Sequence, residues 1–441
     1  MPYRWWTLRK HIKRTPVGFG MTEFLVQRSY ADRYNLIACA IGHHVMESRW
    51  LRDTTYLHQI LRTWYHGNDG GPMAKMEKFS SWNPWAVLNA WKVNADTDFL
   101  LALKPSLEEE YARWERTHRL ENGLYWQGDV QDGMEESISG GRKKQYARPT
   151  INSYMYGNAT ALAFINTLAG DAPRARIYGE KADTLRQLVL GKLWNPSHQF
   201  FETLRGDTLA DVREAIGFIP WYFNLPPQGL PYSQAWQQLT DEKGFSAPYG
   251  LTTAERRHPL FRTHGSGKCE WDGAVWPFAT SQTLTALANL QNSDNPWEQG
   301  DSVFFRQMEL YVESQHHRGR PYIGEYLDET TGAWLMGDRE RSRYYNHSTF
   351  NDLIITGIAG LRPQADNTVV VHPLLPDGRW PWFCLDGVRY HGHTLTIIWD
   401  FDGQHYHQGR GLTLLIDGRR AANRPDLGLL KAELPATAKD E

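Results

Sequence analysis

The chain has 441 residues, and its 48 basic and 50 acidic side chains give a formal net charge of −2. That length permits one large domain or two to three ordinary ones, each able to bury a sizeable core. So small a charge excludes a strong field for nucleic acid or an anionic membrane and leaves a neutral or weakly charged ligand as the expectation.

The first 28 residues read as an N-terminal extension, basic and aromatic, without an apolar run of signal-peptide length. No apolar stretch reaches 18 residues, so no membrane-spanning helix is expected, and the expected compartment is the cytoplasm. From residue 29 to about 365 helical periods dominate. YNLIACAIGHHVMESRWL (34–51), WAVLNAWKVN (85–94), LEEEYARWERTH (107–118), NATALAFINTLAG (158–170), RARIYGEKADTLRQLVLGKLW (174–194) and SQTLTALANLQN (281–292) repeat apolar residues every three to four. Several carry apolar residues on more than one face, which predicts helices packed on two sides.

Between the helices run long loops rich in Gly, Pro, Trp and Asn, and loops of such length in a compact domain are usually functional. Short turns alternating with long aromatic loops predict a toroid of helical hairpins whose long loops collect at one end. Beyond GLRPQADN the period changes to two. TVVVHPLL, WFCLDGVRYHGHTLTIIWDF and LTLLIDGRR are broken by DG and HG, which predicts a small antiparallel β module over 366–428, followed by a polar tail over 429–441.

Cys39, Cys269 and Cys384 lie far apart and are odd in number, so no disulfide framework is expected. There is no CxxC pair or HExxH helix, and His43-His44 and His316-His317 lack ligand spacing, so no metal site is predicted. The absence of GxSxG, Walker and dinucleotide motifs leaves serine-hydrolase and nucleotide-dependent chemistry without support. Nineteen Trp and 21 Tyr supply flat apolar faces with polar edges, suited equally to a helical core and to stacking on sugar rings.

Five loop segments follow one another in order: GDVQDGMEESISGG, RPTINSYMYGNA, CEWDGAVWPFATS, GEYLDETTG and YNHSTFNDLIITGIAGLRP. Together, over about residues 30 to 375, they resemble the motif series of the six-hairpin glycosidases. The nearest group is that around mannosylglycerate hydrolase and the glucosidase and trehalase families. The resemblance implies an (α/α)6 barrel and cofactor-free, inverting hydrolysis of a small glycoside or oligosaccharide such as an α-glucoside or α-mannoside. Such a reaction needs one carboxylic acid to protonate the leaving oxygen and a second carboxylate to activate water on the other face of the ring.

The family's proton donor follows a Gly-x pair, and Glu135 takes that position after Gly133-Met134. Glu in place of the family's Asp is a departure, which leaves Asp132 and, behind it, Asp129 as alternative donors. Acids crowded at Asp132, Glu135 and Glu136 would help one of them keep its proton near neutral pH. Glu325 of IGEYLDETTG falls on the family's catalytic glutamate; Asp328 and Glu329 read as members of a turn. Candidate substrate-binding residues are Trp82, Trp126, Asp129, Arg148, Asn152, Tyr154, Trp271, Asp272, Trp276, Tyr345, Asn346 and His347. A charged aglycone would draw on Lys75, Lys78, Arg142 or Lys268. Two other readings stay open: an epimerase or lyase on the same toroid, and a sugar-binding protein without catalysis.

Overall fold

The computed structural model describes residues 1–229, 231–263 and 267–435. Up to residue 360 the chain is organised by helices α1 (Pro2–His11), α2 (Ile41–Ser48), α3 (Thr55–His66), α4 (Asn83–Asn94), α5 (Thr97–His118), α6 (Pro149–Leu168), α7 (Ala172–Lys192), α8 (Ile219–Tyr222), α9 (Pro277–Gln291), α10 (Gly300–Glu313) and α11 (Asn351–Leu353), joined by long loops. Their contacts close a ring: α2 touches α4, α4 touches α6, α6 touches α8, α8 touches α9, α9 touches α11, and α11 returns to α2. Helices α3, α5, α7 and α10 pack outside this ring, each against the inner helix next to it in sequence. This is the predicted toroid of hairpins.

Burial follows from the position in the ring. Every residue of α2 and nearly every residue of α9 is buried, whereas α7 buries only Ala182, Leu185 and Val189, one narrow stripe facing α6. The ring is closed by charge as well as by apolar packing. Arg49, just past α2, donates from Nε at 2.9 Å and pairs through Nη2 at 2.7 Å with Asp352 of α11, whose Oδ1 also accepts from Trp50 Nε1 at 2.7 Å. Glu47 Oε1 accepts the backbone N–H of Asn351 at 2.8 Å, so the start of α11 hangs on α2.

Like the short α8 with Pro220, the inner helices α4, α6 and α9 start on a proline in their first turn, where the missing N–H costs nothing: Pro84, Pro149 and Pro277. The residues that precede those helices are Trp82, Arg148 and Trp276. The long loops therefore deliver their chemistry at the N-terminal ends of inner helices. Asp96 and Asp171 cap α5 and α7 by accepting from Phe99 N and Arg174 N at 3.0 and 3.2 Å.

The helix expected over 34–51 is shorter than its period, because Tyr34 and Asn35 both have φ near 66°, which no helix accommodates. Asn35 instead accepts from Arg28 N and donates to Phe24 O, tying the 24–28 segment to the ring. The N-terminal extension is likewise built in: α1 and the hairpin β1 (Ile12–Thr15), β2 (Gly18–Met21) lean on the 344–348 loop. Arg4 Nη2 donates to Ser348 O at 2.7 Å, and His11 Nε2 lies 2.6 Å from Tyr344 O.

The β module comprises a three-stranded sheet, β3 (Leu361–Arg362), β4 (Thr368–Val371) and β9 (Leu430–Glu433), and a four-stranded meander, β5 (Trp382–Tyr390), β6 (His393–Asp400), β7 (Gly411–Ile416) and β8 (Arg419–Arg424). Ile397 faces Leu414, and Trp399 faces Leu412. β9 pairs with β4, Leu430 opposite Val371, so the start of the expected polar tail is a strand. Its apolar Leu430 is what anchors it, buried under the first sheet. Val93 O accepts from His391 N at 2.8 Å, which docks the module on the end of α4. Among the described residues, no helix is long and apolar enough to cross a membrane.

Candidate active site

Glu135 and Glu325, far apart in sequence, meet in the loops at this end of the ring, close enough for the charge of Glu325 to raise the proton affinity of Glu135. Burial is the larger cause, and together with Asp129 the two hold the Glu135 carboxyl up to about 7. Glu325 is buried too, which raises it above the ordinary carboxylate value. Opposing that burial, Arg341 Nη2 stands 3.5 Å from Oε2, Ser342 Oγ donates to the same oxygen at 3.1 Å, and Arg28 and Arg339 add positive potential. One carboxyl thus has surroundings that keep a proton, and the other has cations and a hydroxyl that favour the anion.

A third carboxyl joins them. Glu23, directly after the β1–β2 hairpin, is raised to about 8 by burial first, with Glu325 and Glu135 adding to the effect. Tyr345 donates its hydroxyl to Glu23 Oε1 at 2.6 Å, and the Cys39 thiol lies 3.4 Å from Oε2. Cys269 feels both Glu135 and Glu325, with burial the main reason that its thiol is pushed up to about 12. Sequence reasoning missed Glu23 because GMTEF carries no local pattern; a lone acid between apolar residues was the one available signal.

The GDVQDGMEESISGG loop is shaped from within. Asp129 Oδ1 accepts from Val130 N at 2.8 Å and Oδ2 from Gly141 N at 3.3 Å, so this side chain folds the loop. Gly140 packs so tightly on Asp129 that a Cβ there would fall on the carboxylate. Asp132 is wholly buried, pairs with Arg148 Nε at 2.8 Å and also accepts from the Thr150 hydroxyl, all through Oδ2. Arg148 reaches Ser139 Oγ at 3.3 Å as well. Asp132 and Arg148, expected as acid and substrate ligand, therefore spend their charges on each other, leaving Asp132 Oδ1 without a hydrogen bond among the described residues. Asn152 serves as a clamp, accepting from Tyr125 N at 2.8 Å and donating to Tyr125 O and Arg148 O at 2.9 Å.

Aromatic side chains form two groups. Trp271 stacks on Trp276 with centroids 4.5 Å apart, and Trp276 stacks on Tyr326, next to Glu325, also at 4.5 Å. Trp82, fully buried, packs against Tyr154 at 4.8 Å and the edge of His43 at 4.9 Å, and Tyr154 accepts from Gln282 Nε2 at 2.9 Å. His43 and His347 both contact Phe278, and neither ring nitrogen of either histidine has a partner among the described residues. Burial drives both well below the ordinary histidine value, so both are neutral. His347 lies 3.8 Å from the Tyr345 ring, which links it to Glu23. Asn346 Nδ2 donates to Thr22 O at 3.1 Å, and its backbone N–H donates to Glu23 O at 3.0 Å. Asp272 is completely buried beside Trp271. Trp126 stacks on His118, beyond the end of α5, and spends its face there. Arg262 joins Glu270, Asp328 and Glu329 in one ion network, with Asp328 and Glu329 each at 3.2 Å, as turn residues would be held.

Residues 33–348 match the model of the mannosylglycerate hydrolase MGH1-like glycoside hydrolase domain, and 361–423 match the glycosyl hydrolase family 65 C-terminal domain. A solved structure named "Sialidase" is 68% identical over 98% of this chain, with a TM-score of 0.97; the chain spans 40% of that protein's length. The GH63 mannosylglycerate hydrolase from Thermus thermophilus, solved with glucose, shares the fold at 13% identity and TM-score 0.59, covering 80% of this chain and 98% of its own. A GH78 family rhamnosidase of a Bacillus species does so at 12% identity and TM-score 0.60, over 86% of this chain and 37% of its own. With its toroid, its β module and its family match over most of its length, the chain belongs to the mannosylglycerate hydrolase MGH1-like glycoside hydrolase family.

Proposed function

We propose that the chain is an inverting glycoside hydrolase in which Glu135 protonates the leaving oxygen and Glu325 deprotonates the attacking water. The observation that carries this is the unlike surroundings of two neighbouring buried carboxyls: Glu135 is held near a pKa of 7, and Glu325 is braced by Arg341 and Ser342. Asp132 is the weaker candidate for the acid because Oδ2 is committed to Arg148 and Thr150; its Oδ1 suits a sugar hydroxyl instead. The Trp271–Trp276–Tyr326 stack supplies a flat wall for the ring, and His347 and Asp272 supply polar groups beside it.

For the glycone, the relatives' names point three ways, to mannosylglycerate, to a rhamnoside and to a sialoside. The sialidase name rests on far higher identity, though on a protein much longer than this chain. A panel of nitrophenyl α-mannosides, α-glucosides and α-sialosides and of natural disaccharides, with NMR of the first-formed anomer, tests the reading. Inversion is expected, and Glu325→Gln should lose at least ~10²-fold in kcat with KM little changed. Normal turnover by that variant would refute the role. The unpartnered His43 and His347 favour one rival, an epimerase with two imidazoles as proton shuttles; such an enzyme would release no second molecule from any glycoside.

A further inference from the structure

The cations near the pocket differ in what already holds them. Lys75 gives Nζ to Ala31 O at 2.6 Å, Lys78 gives Nζ to Tyr30 O at 3.1 Å, Arg142 pairs with Glu136, and Arg262 is spent on three acids. Two guanidiniums are different. Arg341 approaches Glu325 through Nη2 alone, at 3.5 Å, and its Nε is buried without a partner among the described residues. Arg28 lies beside the Phe24 and Tyr30 rings, at 5.5 and 5.4 Å, and its guanidinium also hydrogen-bonds Tyr30, but its Nε is buried without a partner among the described residues. Both act on the charge of Glu325, and Tyr30 acts on Arg341 and on Arg28, whose guanidinium lies 5.4 Å from its ring, so both cations lie in the neighbourhood of Glu325. Buried N–H groups of a cation are seldom left without an acceptor, and when they are, the acceptor commonly arrives with the ligand.

We infer that Arg28 and Arg341 form an anion site beside Glu325 that holds a carboxylate borne on the anomeric carbon of the glycone, making the substrate a glycoside of a 2-keto acid sugar. The inference rests on the reading of Glu325 as the water-activating base. A base of that kind lies one water away from the anomeric carbon. A cation 3.5 Å from the base therefore borders the anomeric centre and not the distal hydroxyls. An aldose presents only hydrogen there. A 2-keto acid sugar presents a carboxylate, which the guanidinium fork fits in two parallel hydrogen bonds. The charge agrees: burial raises Glu23 and Glu135 and so lessens the negative charge beside Glu325, while Arg341, Arg28 and Arg339 add positive potential there. Arg28 comes from the segment before residue 33, outside the stretch that matches the family domain, so this half of the site is not part of that match.

The test uses the full chain with an aryl α-glycoside of N-acetylneuraminic acid, the methyl ester of the same compound, and the aryl α-mannoside and α-glucoside. The acid should be cleaved at least 100-fold more efficiently than its ester or the neutral sugars. Arg28→Ala and Arg341→Ala should each raise KM for the acid at least tenfold and narrow the gap between acid and ester; Arg28→Lys and Arg341→Lys should recover part of the loss. Calorimetry of free N-acetylneuraminic acid should show binding that Arg28→Ala weakens at least tenfold, with melting temperature checked to confirm folding. Equal rates on acid and ester, unchanged binding in the folded alanine variants, or cleavage of mannosylglycerate in preference to the sialoside would overturn the inference while leaving the two-carboxyl reading in place. Full turnover by Glu325→Gln with binding of the free acid intact would instead overturn the role of Glu325.

Discussion

Glu325 strengthens the hold of Glu135 on its proton, while the dominant effect on each residue is burial, opposed at Glu325 by Arg341, Ser342 and Arg28. On the proposed reading the acid and the base are of the same residue type, told apart by their neighbours alone. The consequence for rate against pH is direct. kcat/KM should fall as pH rises through about 7, where Glu135 gives up its proton, and fall again on the acid side above the ordinary glutamate value, where Glu325 takes one up. The two limbs belong to the coupled pair. A profile from pH 4 to 9 checks this, and a rate that stays level to pH 8.5 would contradict the assignment of Glu135.

Glu135 and Asp132 should separate cleanly on mutation. Glu135→Gln is expected to lose roughly 10²- to 10⁴-fold in kcat on a natural glycoside, and far less on an aryl glycoside whose leaving group needs no proton. Its melting temperature should hardly change. Asp132→Asn leaves the buried Arg148 guanidinium without its counter-charge, and breaking a buried pair costs about 3–5 kcal/mol. Thermal unfolding of the two variants, measured beside their kinetics, checks the division; a stable, inactive Asp132→Asn would return that residue to the role of acid.

Glu23 should make stability depend on pH in a particular direction. Its folded-state pKa, about 8, lies above the unfolded value near 4.5, so the protonated form is the one the fold prefers. That contribution is complete below about pH 4.5 and is lost as pH rises through about 8. Glu23→Gln keeps a neutral group opposite the Tyr345 hydroxyl and removes the titration. Its melting temperature should therefore gain on the wild type as pH rises from 5 to 8.5. Parallel curves for the two proteins across that range would show that Glu23 is not the group responsible.

Gly42 offers a test of the inner ring. An exposed helical Gly→Ala change gains about 1 kcal/mol. In α2, however, a Cβ at position 42 would lie inside the Trp82 indole, which itself is wedged against His43 and Tyr154. Gly42→Ala should thus destabilise by about 1–3 kcal/mol, the usual cost of overpacking, and lower kcat by displacing Trp82 at the head of α4. Denaturant unfolding measures the first effect; an unchanged midpoint would mean that Trp82 has room to move.

Some of this was legible in the chain. Apolar periods of three to four marked the inner and outer helices because each helix faces its neighbours with fixed geometry, and period two marked the β module for the same reason. The periods did not mark every start: α6 and α9, expected from 158 and 281, begin earlier, at Pro149 and Pro277. Glu135 and Glu325 stood out because their loops carry local motifs, and a motif is a property of adjacent residues. What adjacent residues could not settle is which distant groups the closed ring brings against them. Asp132 stood in DGMEES as an alternative donor, and only packing set it against Arg148 and Thr150. Glu23, Cys39, Arg28 and Arg341 carry no pattern of their own, yet the fold sets Cys39 and Tyr345 against Glu23, and Arg341 and Arg28 beside Glu325. Helix and strand are determined over a few residues by backbone geometry and burial; proton affinity is determined by whatever charge and solvent lie within a few ångströms, and that distance is defined only once the ring has closed.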